Sequence, residues 1–80
     1  MRARIYVTLK PGVLDPAGQA VEKGLHALGF AEASQVRLGK FVELELGEVK
    51  DPAATRARLA QMCEKLLANT VVENYRVELP

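Results

Sequence analysis

The chain has 80 residues, 49% hydrophobic and 26% charged, a composition that describes one ordinary globular domain (residues 1–80) rather than a disordered segment. Its 11 Lys and Arg against 10 Asp and Glu leave a net charge of +1, which is not the concentrated basic surface of a nucleic-acid binder. One cysteine excludes an internal disulfide, and no stretch reads as a signal peptide or membrane span, so the expected setting is the reducing cytoplasm, away from membranes.

Residues 4–9 alternate at the period of a half-buried strand, with Ala3, Ile5, Val7 and Leu9 on one face and Arg4, Tyr6, Thr8 and Lys10 on the other. Residues 10–14 form a loop with Pro11-Gly12 as its turn signal. Val13 and Leu14 then read as a hydrophobic staple on the following helix. Asp15-Pro16 starts that helix, because Asp accepts the free amide hydrogens of the first turn and Pro has no amide hydrogen to leave unpaired. The spacing predicts a helix over 16–28, with Ala17, Ala20, Val21, Gly24, Leu25 and Leu28 on one stripe and Gly29 as the left-handed residue beyond its end. A second Asp-Pro pair, Asp51-Pro52, opens a second helix over 52–68 with Leu59, Met62, Cys63, Leu66 and Leu67 inward and Asn69 just past its end. Residues 71–79 form the last strand, with Tyr75, Val77 and Leu79 alternating with Arg76 and Glu78. The repeated strand, Asp-Pro and helix make two βαβ units of similar plan.

Residues 35–46 decide the architecture. Two short strands joined by a tight Gly39-Lys40 turn would complete a ferredoxin-like βαββαβ unit, an antiparallel sheet with two helices on one face. That turn, however, puts Glu43 beside the core and turns Val42, Leu44 and Leu46 away from it. A continuous strand keeps Val36, Leu38, Val42, Leu44 and Leu46 together, with Lys40 alone out of character. The pattern favours one long strand of about 40 Å. One subunit could hardly cover it, so the expectation is a segment-swapped dimer in which each half of the strand joins a different βαββαβ unit.

Chemistry-bearing residues are sparse. One His and one Cys cannot supply the three or four ligands of a zinc site. Cys63 sits mid-helix on the apolar stripe and reads as a buried structural thiol, while His26 lies beside a stripe as a partly exposed, inert side chain. Gly39-Lys40 lacks the spaced glycines and hydroxyl residue of a phosphate loop. Glu43 and Glu45 share one face and are expected to pair with Arg4 and Arg76 across strands rather than act as an acid-base pair. Only Tyr6 and Phe41 offer aromatic rings on the open sheet face, beside three glutamates, which does not suit RNA. No nucleophile, base or cofactor loop emerges, so catalysis by this chain alone is not expected.

Three stretches exceed what packing requires. They are residues 9–16, with Lys10; residues 36–40, with Arg37, Gly39 and Lys40; and residues 66–75, with Asn69, Asn74 and Tyr75. In these stretches the chain resembles the PurS family, small subunits of phosphoribosylformylglycinamidine synthase. The family pattern Leu-Lys-x-x-Val-Leu-Asp-Pro-x-Gly is matched from Leu9 to Gly18, an Arg-x-Gly-Lys centre by Arg37, Gly39 and Lys40, and a closing Cys-x-x-Leu-Leu-Ala-Asn-Pro-Val-Ile-Glu-x-Tyr by Cys63 and residues 66–75. Thr70 stands where the family commonly has Pro, and Val72 where it has Ile; neither change removes a chemical group.

The resemblance implies a non-catalytic subunit in the fourth step of de novo purine synthesis, where formylglycinamide ribonucleotide, glutamine and ATP give formylglycinamidine ribonucleotide. It implies two partners, a large synthetase subunit and a glutaminase subunit, and a homodimer or higher homo-oligomer that bridges them and helps ammonia pass. ATP and Mg are then expected on the synthetase, and no cofactor on this chain. Lys10, Arg37, Gly39, Lys40, Asn69, Asn74, Tyr75, Tyr6 and Phe41 are the candidate interface residues. The alternative from another class is a ferredoxin-like regulatory module binding a small ligand at a dimer interface, although Pro11 removes an amide donor from the loop such a site would use.

Overall fold

The computed structural model describes residues 1–80. Strand β1 (Arg2–Leu9) lies in the middle of a three-stranded antiparallel sheet, between β2 (Gly39–Glu45) and β3 (Glu73–Glu78). The alternation of β1 sorts its side chains as the sequence requires: Ala3, Ile5 and Val7 are fully buried under helix α2 (Pro52–Met62). Leu59, Cys63 and Ala68 complete that core, with Val42 and Leu44 of β2, Leu46 just beyond it, and Tyr75 and Val77 of β3 packed around it. The sheet and helices form an α+β, ferredoxin-like arrangement.

Both Asp-Pro pairs start helices. Asp15 Oδ1 accepts the Gly18 amide at 2.8 Å, and Asp51 Oδ1 accepts those of Ala53 and Ala54 at 3.1 and 3.3 Å. Helix α1 (Pro16–Ala27) ends at Leu28, and Gly29 follows at φ +99°, the left-handed conformation that favours glycine. The Lys10-to-Val13 turn closes through the Val13 amide and Lys10 carbonyl, with Gly12 at φ +85°.

The long strand takes a form intermediate between the two possibilities. Gly39 and Lys40 sit opposite Thr8 and Val7 in the ladder, so no tight turn exists there and the hairpin reading is excluded. The ladder nevertheless starts only at Gly39: Leu38, which would meet Leu9 at the end of β1, gives its amide to Asp15 instead, and residues 35–37 run past the end of β1. Helix α1 holds that stretch instead. Glu22 Oε1 accepts the Val36 amide at 3.0 Å, and Asp15 Oδ2 accepts the Leu38 amide at 2.9 Å. A βαββαβ unit has a fourth strand, and its place along the outer edge of β2 is open in a single chain.

Other expectations need correction. Helix α2 stops being α-helical at Met62 and continues as one wide π turn, Cys63–Leu67, closed by the Ala68 amide on the Cys63 carbonyl at 3.0 Å. The extra residue in that turn brings Ala68 into the core and turns Leu66 out to 83% exposure. Asn69 is not a left-handed cap, since the chain is already extended at Ala68. Leu14 is 65% exposed and staples nothing, because the helical position it would meet is occupied by Gln19. The stripe of α1 is uncovered too, with Val21 and Leu28 exposed.

Candidate functional site

The residues singled out in the sequence gather into three groups. The first is a hub where the 10–15 loop, the start of α1 and the segment before β2 meet. Asp15, nearly buried, holds the Gly18 and Leu38 amides on its two oxygens, and Arg37 Nε lies 3.7 Å from Oδ2. Those two amide donors, assisted by the guanidinium, hold the carboxyl below its ordinary range. Arg37 Nη2 also donates to the carbonyls of Leu9 and Lys10, at 2.8 and 3.1 Å. Gly18 is required here because a Cβ would press on the Val36 carbonyl and the Asp15 carboxylate. Arg37 is therefore a strut of the fold, and Lys10 enters the hub through its backbone only.

The second group sits under the other helix end. Lys40 Nζ donates to the Leu67 carbonyl at 3.1 Å and lies 3.8 Å from Glu73 Oε1, which explains a cation on the inner face of β2. Glu73 also accepts the Asn69 amide at 2.6 Å, while Asn69 Oδ1 accepts the Val71 amide at 3.2 Å. The Tyr75 hydroxyl donates to Glu64 at 3.0 Å, and this bond to a carboxylate raises its pKa. Cys63 lies beneath, its thiol pushed up by burial, which keeps it a poor nucleophile. Gly39 belongs to neither group; a Cβ there would collide with the Val7 carbonyl of the neighbouring strand.

The third group is the open sheet face. Tyr6 and Phe41 stack across β1 and β2 with ring centroids 5.1 Å apart, and the Arg76 guanidinium lies 4.2 Å over Tyr6. Arg4 reaches both Glu43 and Glu78 at 3.5 Å. The expected pairing of Glu43 with Arg4 is present, but Arg76 sits on the far strand and pairs with Glu78 at 3.3 Å. Glu45 binds the N-terminal ammonium at 2.7 Å instead, and this bond lowers its pKa. His26 lies outside all three groups, its Nε2 2.6 Å from the Ala33 carbonyl. No three His, Cys, Asp or Glu side chains converge as metal ligands, and no helix is long and apolar enough to cross a membrane.

Two features escaped the sequence. Leu44, Met62, Leu66 and Leu67 line an apolar groove beside α2, fringed by Arg58 and Lys65. The π turn that swings Leu66 into it leaves no sequence signal, since the helical spacing reads straight through. Glu22 likewise gives no sign, on a helical pattern, that it will hold the Val36 amide.

A family model described as PurS, phosphoribosylformylglycinamidine (FGAM) synthase, matches residues 2–80. A curated PurS subunit from Synechocystis is 58% identical over 76 residues, covering 95% of this chain and 75% of its own length. Its Bacillus subtilis counterpart is 45% identical over 98% of this chain and 90% of its own. Among solved structures, B. subtilis PurS superposes with a TM-score of 0.80 at 45% identity, over 96% of this chain and 94% of that one. A chain in the structure of PurLQS from Thermotoga maritima superposes with a TM-score of 0.85 at 32% identity, over 96% and 93% of the two chains.

Proposed function

The chain belongs to the PurS family of phosphoribosylformylglycinamidine synthase subunits, and from that premise we propose that it is the non-catalytic bridge between a synthetase and a glutaminase subunit in the cytoplasm. The bridge holds the two partners so that ammonia released from glutamine reaches the synthetase without loss to solvent. ATP and Mg bind the synthetase in this scheme, and this chain contributes surfaces only. The PurLQS complex of Thermotoga maritima, in which a similar chain occurs, supports the choice of partners.

The observation that carries the reading is how much apolar surface one chain leaves uncovered. Val21, Leu28 and Phe30 around α1 are exposed, and the groove of Leu44, Met62 and Leu66 lies open on the same molecule. The chain measures 49 × 25 × 15 Å, elongated for its length. A second copy satisfies all of this at once. Its α1 covers the groove, and its residues 35–38 pair with the free edge of β2, the place of the missing fourth strand. The result is a homodimer of two βαββαβ units, each built from both chains.

The test is an amidation assay with the synthetase and glutaminase of the same organism. With ammonium in excess, the synthetase alone turns over formylglycinamide ribonucleotide. With glutamine as nitrogen source, turnover requires this chain as well. Glutamine-dependent turnover that is equal without the chain, or glutamine or ATP hydrolysis by the chain alone, overturns the proposal.

A further inference from the structure

A cleft of about 790 Å³ lies where the 10–15 loop, the first turns of α1 and the segment before β2 come together. Three carboxamides line it from three parts of the fold: Gln19 on α1, Gln35 ahead of β2, and Asn74 on β3. None of the three makes a side-chain hydrogen bond within the chain, unlike Asn69, whose carboxamide closes a local turn. Gln35 is also the one non-glycine residue at positive φ, +53°, a conformation that costs energy away from glycine.

The charges around the cleft are already engaged. Arg37 is tied to Asp15 and to the Leu9 and Lys10 carbonyls, and Glu22 to the Val36 amide. What remains on offer is neutral. A carboxamide presents a donor and an acceptor side by side, which is the pattern a peptide group also presents. The Gly12 and Leu14 amides of the loop have no partner in the chain either, and the Leu14 side chain stands exposed at the rim. We infer that this cleft receives an extended, uncharged peptide segment of a partner subunit, its backbone bonded by Gln19, Gln35 and Asn74 and an apolar side chain resting on Leu14. The inference rests on the bridging role proposed above and names the surface that performs it.

The test combines Gln19→Ala and Asn74→Ala in one protein and leaves Gln35 in place, because residues 35–38 belong to the proposed contact between copies. Both side chains are exposed and make no hydrogen bond within the chain, so the fold should hold. Titration against the purified synthetase and, separately, the purified glutaminase identifies which subunit supplies the segment. The expected result is an unchanged homo-oligomer mass and melting temperature, with binding to one subunit weakened about tenfold or more. Unchanged affinity for both subunits overturns the inference while leaving the bridge intact. A shifted homo-oligomer mass with unchanged subunit binding also overturns it, by giving the cleft to a second copy. Wild-type protein that binds neither subunit overturns the bridging role itself, and this inference with it.

Discussion

Asp15 does more than start a helix. One carboxylate oxygen holds the first turn of α1, and the other holds residue 38, so a single side chain sets where the segment before β2 runs. Its pKa is lowered in the folded chain, first by those amide donors and then by Arg37. The folded state therefore binds this proton less readily than the unfolded one. The stability it contributes is complete above the ordinary carboxylate value of about 4 and is lost as the pH falls towards the lower folded value. Asp15→Asn is expected to lower stability at neutral pH and to flatten the acid limb of the stability curve, as measured by urea unfolding between neutral and acidic pH. An acid limb identical to that of the wild type would show that other carboxylates dominate. Two leucines separate core from assembly in the same way. Leu59 is fully buried within one chain, so Leu59→Ala should cost about 2–5 kcal/mol. Leu66 lies in the open groove, and Leu66→Ala should show mainly as weaker self-association in a dilution series.

Among the elements, the wide turn after α2 is the one that the spacing misreads. The pattern of Leu59, Met62, Cys63, Leu66 and Leu67 fits an uninterrupted helix, and nothing local marks the change to i→i+5 bonding at Ala68. What imposes it is tertiary: Ala68 and Cys63 are both drawn into the core, and Lys40 waits on β2 for the Leu67 carbonyl. Removing the exposed Lys65 would convert the Ala68-to-Cys63 bond into an ordinary i→i+4 bond. The expected outcome is a helical circular dichroism spectrum and a melting temperature close to the wild type; collapse of the fold would mean that the turn's width is itself required. Elsewhere the elements were legible for definite reasons. The alternation of β1 gave its buried face, and Asp-Pro gave both helix starts, because in each case the determinants lie within a few residues. The site was legible only as a set of residues. The side chains of Arg37, Lys40 and Asn69 prove to be bonded within the chain, Lys10 takes part through its backbone only, and a long-range partner such as the Leu67 carbonyl has no local trace.

At the scale of the whole molecule, the segment before β2 decides whether the chain is complete alone. Val36 and Leu38 spend their amides on Glu22 and Asp15, which leaves one edge of residues 35–38 occupied and the other free for a strand. The chain runs from Leu38 into Gly39 with no turn, so these residues cannot fold back along the outer edge of their own β2. A connection too short to reverse favours exchange between copies, and lengthening it removes the cause. A flexible Gly-rich insertion between Leu38 and Gly39 should let residues 35–38 return beside their own β2 and bring α1 over the groove of Leu44, Met62 and Leu66. Light scattering after gel filtration should then report a shift from dimer towards monomer. The far-UV spectrum should be preserved, because the closed unit keeps the same strands and helices. The native chain should respond differently to dilution. Obligate dimers often lack a stable folded monomer, so unfolding should accompany dissociation, with a melting temperature that falls as the protein is diluted. A native chain that stays folded as a monomer at low concentration, or an insertion that leaves the mass of the assembly unchanged, would mean that the groove and the free edge of β2 are covered in some other way.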